Sequence, residues 1–250
     1  MPEQLALLTP EPAGYLDQEA VRIRRSPRAR RLLLQVRPPF DVEVVVPPWA
    51  KPADVEDFVS RNRQWIQRAQ QEIRARYPQS RRRLPDRVEL PAINGVWQVV
   101  YLESSNGRGS LRRFSNRLEL RTPASGQGAP ALLRTWVARQ GRDHLKPWLA
   151  RVARELNLMP RRVQVRTQKT RWGSCSSTGT VSINACLLFL EPALVRYLMV
   201  HELCHLRHLN HSRRYWTLVE RFEPDYRLLD KRLGEAWADV PFWALPLQRS

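Results

Sequence analysis

Val200-His201-Glu202-Leu203-Cys204-His205-Leu206-Arg207-His208-Leu209-Asn210-His211 is the stretch on which the reading of this 250-residue chain turns. It contains H-E-x-x-H, from His201 to His205. On a helix, residues four apart sit one turn apart on the same face. His201 and His205 can then aim two imidazoles at one point, the geometry of a metal site with two nitrogen ligands. Glu202 would lie beside the metal without being needed as a ligand. It is placed to take a proton from a metal-bound water.

The helix is expected independently of the motif. Pro192 suits a first helical turn. Ala193 to Leu203 holds no Gly and no further Pro. Leu194, Val195, Leu198, Met199, Val200 and Leu203 spread round nearly the whole circumference, which predicts a buried helix. Unpaired polar groups are costly inside an apolar surrounding, and a metal supplies a reason for these.

A third ligand is needed, with one position left open for water. His208 and His211 compete for it. A continued helix would put His208 on the face of His201 and His205. One straight helix, however, presents its side chains along a line, whereas ligands must surround a metal. A chain that turns after the second ligand can return one from the side. Asn210 tolerates the left-handed conformation that ends helices, and His211 follows it. The spacing H-E-x-x-H-x-x-x-x-x-H also equals that of metzincins, which carry Gly where this chain has His208. We take His211 as the third ligand. His208 is then a group behind the ligands or a helix-end cation, with ligation by it as the alternative.

Around this stretch lie Arg171-Trp172-Gly173-Ser174-Cys175-Ser176, Asn184, Asn210-His211-Ser212 and Tyr215-Trp216. Together with His201-Glu202-Leu203-x-His205-Leu206, this order and spacing resemble the YgjP-like metallopeptidase family. The resemblance is specific over about residues 160–240 and continues more weakly toward residue 21. More distantly the site is similar to SprT-like and WLM-type proteases that act on DNA-bound proteins. The resemblance implies a zincin-like metal hydrolase with ligands at His201, His205 and His211 and Glu202 as the catalytic residue. It also implies a place near the cleft for Arg171 and Trp172. Some relatives carry a nucleotide pyrophosphatase label, so phosphoanhydride cleavage is the alternative to peptide cleavage.

The composition bounds the rest. The chain is long enough for one large or two small domains, and 42% hydrophobic with 26% charged residues reads as globular. No apolar run reaches the ~18 to 20 residues of a membrane span. The start has acids at Glu3 and Glu11 and no basic segment before an apolar core, unlike a signal peptide. Cys175, Cys186 and Cys204 are an odd number without disulfide-framework spacing. These features lead us to expect a cytoplasmic protein. The formal net charge is +18, and only Lys51, Lys146, Lys169 and Lys231 among the 42 basic residues are lysine. Such a field attracts phosphate backbones, so nucleic acid is a candidate partner beside a polypeptide substrate. Arginine usage by itself also fits a solvated surface. The oligomeric state is left open.

Along the chain, residues 1–20 read as a loosely ordered tail. A basic run from Arg22 to Arg31 leads into strands at Leu32–Val36 and Val42–Val46. Residues 53–75 form one long amphipathic helix through Val55, Phe58, Val59, Asn62, Trp65, Ile66, Ala69 and Ile73, with Trp65 as a core anchor. Tyr77 to Pro85 reads as a linker. Strands return over 86–122, with turns at Asn94-Gly95, Asn106-Gly107 and Ser115-Asn116. The Pro/Gly/Ser-rich segment 122–130 is the expected domain boundary. A helix follows over 131–157, which Gly141 and Pro147 could interrupt, and His144 on it reads as a surface residue. Val163–Arg166 and Thr180–Ile183 alternate as strands.

The expected architecture is α+β. A β-rich N-terminal region, 21–125, precedes a zincin-like domain, 130–240, with its metal site on a buried helix. The cofactor expected is one zinc per chain, with another divalent metal as the alternative. Candidate substrate or transition-state contacts are Arg171, Trp172, Asn184 and Tyr215. For Arg171 the competing role is an ion pair holding the hairpin; for Tyr215 it is core packing.

Overall fold

The computed structural model describes residues 21–37, 41–76, 84–168 and 171–245. The expected tail at 1–20 and most of the expected linker lie outside them. Two compact units divide the chain between residues 83 and 84.

In the N-terminal unit, β1 (Val21–Arg25), β2 (Leu33–Arg37) and β3 (Asp41–Val46) form a sheet in the order β1-β3-β2. The central strand pairs parallel with β1 and antiparallel with β2. Strand alternation turns Val44 and Val46 to one face. They pack there with Ala50, Val55, Leu32, Leu34, Phe58 and Val59.

The long amphipathic helix is two helices, α1 (Pro52–Arg61) and α2 (Arg63–Arg76). The break falls at Asn62, the one polar residue in the apolar stripe. Its side-chain amide donates to the Phe58 carbonyl at 2.7 Å, competing with the backbone ladder. Beyond the break Ile66 is buried and Trp65 is 48% exposed, so Trp65 is not the core anchor expected.

The second unit begins with β4 (Arg87–Leu90), β5 (Gly95–Glu103), β6 (Ser110–Arg113) and β7 (Arg117–Thr122), ordered β4-β5-β7-β6. Asn94 adopts the left-handed conformation at the turn before β5. This sheet shares a core with α3 (Ala129–Glu155). Trp97 of β5 meets Trp136 of α3 edge to face, with ring centroids 5.0 Å apart. Residues 87–122 therefore sit in the unit that holds the histidine motif, and segment 122–130 is a connection inside that unit.

Helix α3 runs unbroken through Gly141 and Pro147. Gly141 is there because a Cβ would lie 3.0 Å from the Ala185 Cβ and 3.1 Å from Val165 Cγ1. His144 is exposed, as expected. A third sheet, β8 (Arg162–Arg166), β9 (Gly173–Cys175) and β10 (Thr180–Asn184), is ordered β8-β10-β9. The chain then forms α4 (Pro192–Cys204), α5 (Arg213–Phe222) and α6 (Tyr226–Glu235).

Helix α4 is the axis of this unit. Pro192 opens it, and Leu194, Val195, Leu198, Met199, Val200 and Leu203 are all buried. It packs against α3, α5, α6 and β9, which is why its apolar residues occupy every side. Near the end of the described residues Trp243 is buried, and its carbonyl accepts from Arg134. No helix among the described residues is long and apolar enough to cross a membrane.

Candidate metal centre

The α4 helix ends at Cys204, with His205 as its C-cap. This is earlier than the stop expected at Asn210, which does not adopt a left-handed conformation. The chain turns away at once, through Arg207 and His208 amides that donate to the Cys204 carbonyl. It returns at His211, just before α5. His201, His205 and His211 thereby converge from two directions, with their ligand atoms within 4.8 Å of one another. His201 Nε2 and His211 Nε2 are 3.3 Å apart. Two nitrogens bound tetrahedrally to zinc at ~2.0–2.1 Å would be separated by about 3.3 Å, so the pair fits one ion.

The electrostatics prepare the imidazoles for a cation. Burial, then neighbouring His205 and His211, lower the His201 pKa to about 4. Burial also lowers that of His205. Neutral imidazoles keep the lone pairs that a metal needs. His205 Nδ1 lies 2.9 Å from the His208 carbonyl. As the donor, Nδ1 leaves Nε2 free for a metal. His208 thus stands behind the ligands through its backbone, while its ring lies outside the cluster.

Aromatic rings hold the histidines. His205 stacks on Tyr215 at 4.5 Å between centroids, and His211 on Trp216 at 5.4 Å. Both come from α5, so one helix fixes two of the three rings. Tyr215 is fully buried, and its hydroxyl donates to the His201 carbonyl at 3.1 Å. That bond commits its only hydroxyl hydrogen, as the competing packing role requires.

Glu202 faces the other way from Cys204 and meets β9. It is 5% exposed. Burial raises its pKa to about 8, and Arg171 nearby opposes the rise. A Cβ at Gly173 would lie 2.5 Å from Glu202 Oε1, so the carboxylate rests directly on strand backbone. Arg171 is exposed and has no ion pair among the described residues. The hairpin-holding ion pair considered for it is absent there.

Trp172 and Asn184 are both built into the scaffold. Trp172 is buried, donates to the Leu233 carbonyl at 3.1 Å, and stacks on Trp237 at 4.0 Å. Asn184 is fully buried, and its amide group donates to the Gln168 and Arg171 carbonyls at 2.8 and 2.9 Å. Its carbonyl oxygen accepts from the Cys186 amide. Its amide group thus pins the segment carrying Arg171, while its oxygen caps the turn that follows β10.

The three cysteines are free thiols. Burial raises the Cys175 thiol to about 11, with Glu202 adding to the rise, and burial raises Cys204 to about 12. Asp230 on α6 is a residue the sequence does not point to. It accepts from the Tyr197 hydroxyl at 2.7 Å, and its charge acts on His201, raising the imidazole pKa against the larger effect of burial. No motif marks it, because it reaches the site only through helix packing.

Three imidazoles converging on one point beside a buried carboxylate belong to a metal-dependent peptidase. In particular, the chain belongs to the YgjP-like family, whose metallopeptidase domain matches residues 30–236. Among solved structures, the metallopeptidase zymogen of Pyrococcus abyssi abylysin is 26% identical, over 35% of this chain and 90% of that one, with a TM-score of 0.32. No curated protein matches.

Proposed function

We propose that the protein is a zinc-dependent endopeptidase in which His201, His205 and His211 hold the metal and Glu202 is the general base. The observation that carries this reading is the convergence of the three imidazoles one residue from a buried carboxylate. A divalent metal held there would polarise the scissile carbonyl and acidify a water. Three protein ligands leave a coordination position open for that work.

The protein's own groups supply the rest. Glu202 takes a proton from the attacking water and returns it to the leaving amine. Burial shifts the Glu202 pKa upward, which favours holding the proton between those two transfers. Gly173 allows the carboxylate its position. Arg171, exposed and beside Glu202, is the group available to oppose negative charge on the attacked oxygen. Strand β9 is an edge strand of its sheet. An extended polypeptide can add to such an edge through main-chain hydrogen bonds, which favours cleavage within an unfolded stretch.

The test is zinc content and hydrolysis measured together, for wild type and Glu202→Gln, against unstructured proteins and nucleoside triphosphates. One zinc per chain in both proteins, with peptide cleavage in wild type alone, supports the reading. Phosphate release without peptide cleavage would replace it with the pyrophosphatase alternative.

A further inference from the structure

The N-terminal unit carries a concentration of charge that the metal centre does not use. Residues 21–37 contain seven arginines and no acidic residue. Arg24 is neutralised by the buried Glu43 at 3.1 Å. Arg25, Arg28, Arg30 and Arg31 are exposed and have no ion pair among the described residues. Like charges gathered without counter-ions destabilise a fold through self-repulsion, which a bound polyanion relieves.

The sheet topology brings the loop that carries these arginines to the same end of the sheet as the loop that carries an exposed indole. Strands β1 and β3 run parallel, and Arg25 pairs with Val46 at their common end. Leu33, the first residue of β2, pairs with Val45 at that same end. The β1–β2 loop and the β3–α1 loop therefore emerge together. The Ser26 amide donates to the Val46 carbonyl at 2.9 Å and ties them. The first loop carries Arg28, Arg30 and Arg31. The second carries Trp49, which is 63% exposed, and Lys51. An open groove of about 380 Å³ runs over this end, lined by Ser26, Arg28, Arg30, Arg31, Leu33 and Val45.

A positive groove and an exposed flat aromatic ring at one end of a sheet are the combination that binds unpaired nucleotides. Guanidinium groups hold successive phosphates, and the indole stacks on a base. A duplex offers the phosphates but hides its base faces, and a lipid headgroup surface offers no base. We propose that this end of the N-terminal unit is a docking surface for single-stranded nucleic acid, with Arg28, Arg30 and Arg31 on phosphates and Trp49 stacked on a base. The proposal does not depend on the metal centre.

The experiment is fluorescence anisotropy of the full chain with a labelled oligothymidylate of about 12 nucleotides, between about 50 and 200 mM salt. A duplex of equal length and phosphatidylserine vesicles serve as competitors. Changing Arg28, Arg30 and Arg31 together to Glu should weaken binding at least about tenfold. The matching Gln variant should lower the salt slope by about 2, three phosphate contacts at ~0.7 each. Trp49→Ala should weaken binding by about tenfold, with loss of indole quenching. Arg139→Glu, on α3 of the other unit, should change nothing. Equal thermal unfolding midpoints establish that the variants are folded. No binding overturns the proposal. So does binding that the triple variants leave intact, better competition by duplex or vesicles than by single strand, or full affinity without Trp49.

Discussion

Gly173 of β9 lies directly against Glu202 of the metal helix: a Cβ at position 173 would fall 2.5 Å from the Glu202 carboxylate oxygen and 2.7 Å from its Cγ. No reshuffling of a flexible tip accommodates that, because the carboxylate stem is also in the way. Gly173→Ala should therefore displace Glu202 while leaving the three histidines in place. Turnover should fall about 100-fold, the size of effect that a ~1 Å misplacement produces, with zinc content unchanged. Parallel measurement of metal per chain and kcat checks this. Loss of metal together with activity would show that the substitution unfolds the site instead.

Tyr215 separates packing from catalysis. Its hydroxyl serves the His201 carbonyl, so Tyr215→Phe should lower stability by about 1 kcal/mol and leave kcat within a few-fold. A fall of about 100-fold or more in kcat, with stability kept, is the size expected from removing a transition-state donor. That result would give Tyr215 the transition-state role.

Arg171 holds the Glu202 pKa below where burial alone would put it. Removing the positive charge with Arg171→Met should move the acid limb of the pH profile of kcat/KM to higher pH. Arg171→Lys should restore part of the shift, since the charge remains. A profile that keeps its acid limb unmoved in Arg171→Met would remove Arg171 from the site.

His208 and His211 should differ sharply. His211→Ala removes a ring nitrogen from the cluster and should weaken zinc binding by about 100-fold or more. His208→Ala keeps the backbone carbonyl that holds His205 and should change affinity less than about tenfold. Competition with a chelator measures both. Greater loss in His208→Ala would reassign the third ligand.

The metal-free protein should show an unusual dependence of stability on pH. Glu202 keeps its proton to about pH 8 when folded, against an ordinary value of 4.5, so the native state binds more protons over that interval and stability falls as pH rises. His201 acts in the opposite sense: with its folded pKa lowered from 6.5 to about 4, stability rises with pH across that range. Of these two groups, only Glu202 contributes a slope between pH 6.5 and 8, on the order of 2 kcal/mol over that window. Denaturant unfolding of wild type and Glu202→Gln without metal reads the difference. The wild type should decline across the window relative to the variant. Parallel curves would mean that the carboxylate is solvated.

The metal helix was legible because its signals are local. Pro192, the all-round apolar residues and the four-residue spacing of His201 and His205 each depend only on neighbours along the chain. The α+β class was legible for the same reason, from alternating strands and turn residues such as Asn94-Gly95. The single long helix over 53–75 was misread because Asn62 was counted as a gap in a stripe. Its amide reaches the Phe58 carbonyl and ends α1 instead. The division of the chain was misplaced because a Pro/Gly/Ser-rich segment marks a loop wherever it occurs. Only the packing of Trp97 on Trp136 shows that the sheet before it and the helix after it share a core.

By itself, the sequence determined the residue types that can hold a metal, the helix that presents two of them, and the acid beside them. Those follow from helical period and from side-chain chemistry, which need no partner elsewhere in the chain. The tertiary structure alone decided that the helix stops at Cys204 and set the 3.3 Å approach of His211, the third ligand expected, to His201. It decided that Tyr215 and Trp216 hold the histidine rings, and that Trp172 and Asn184 bond to backbone carbonyls elsewhere in the fold. It brought Asp230 to act on His201 and laid Glu202 on the bare backbone of Gly173. Each of these is a contact between segments far apart in the chain, fixed by how α4, α5, α6 and β9 fill a shared core, and no periodicity along the sequence encodes it.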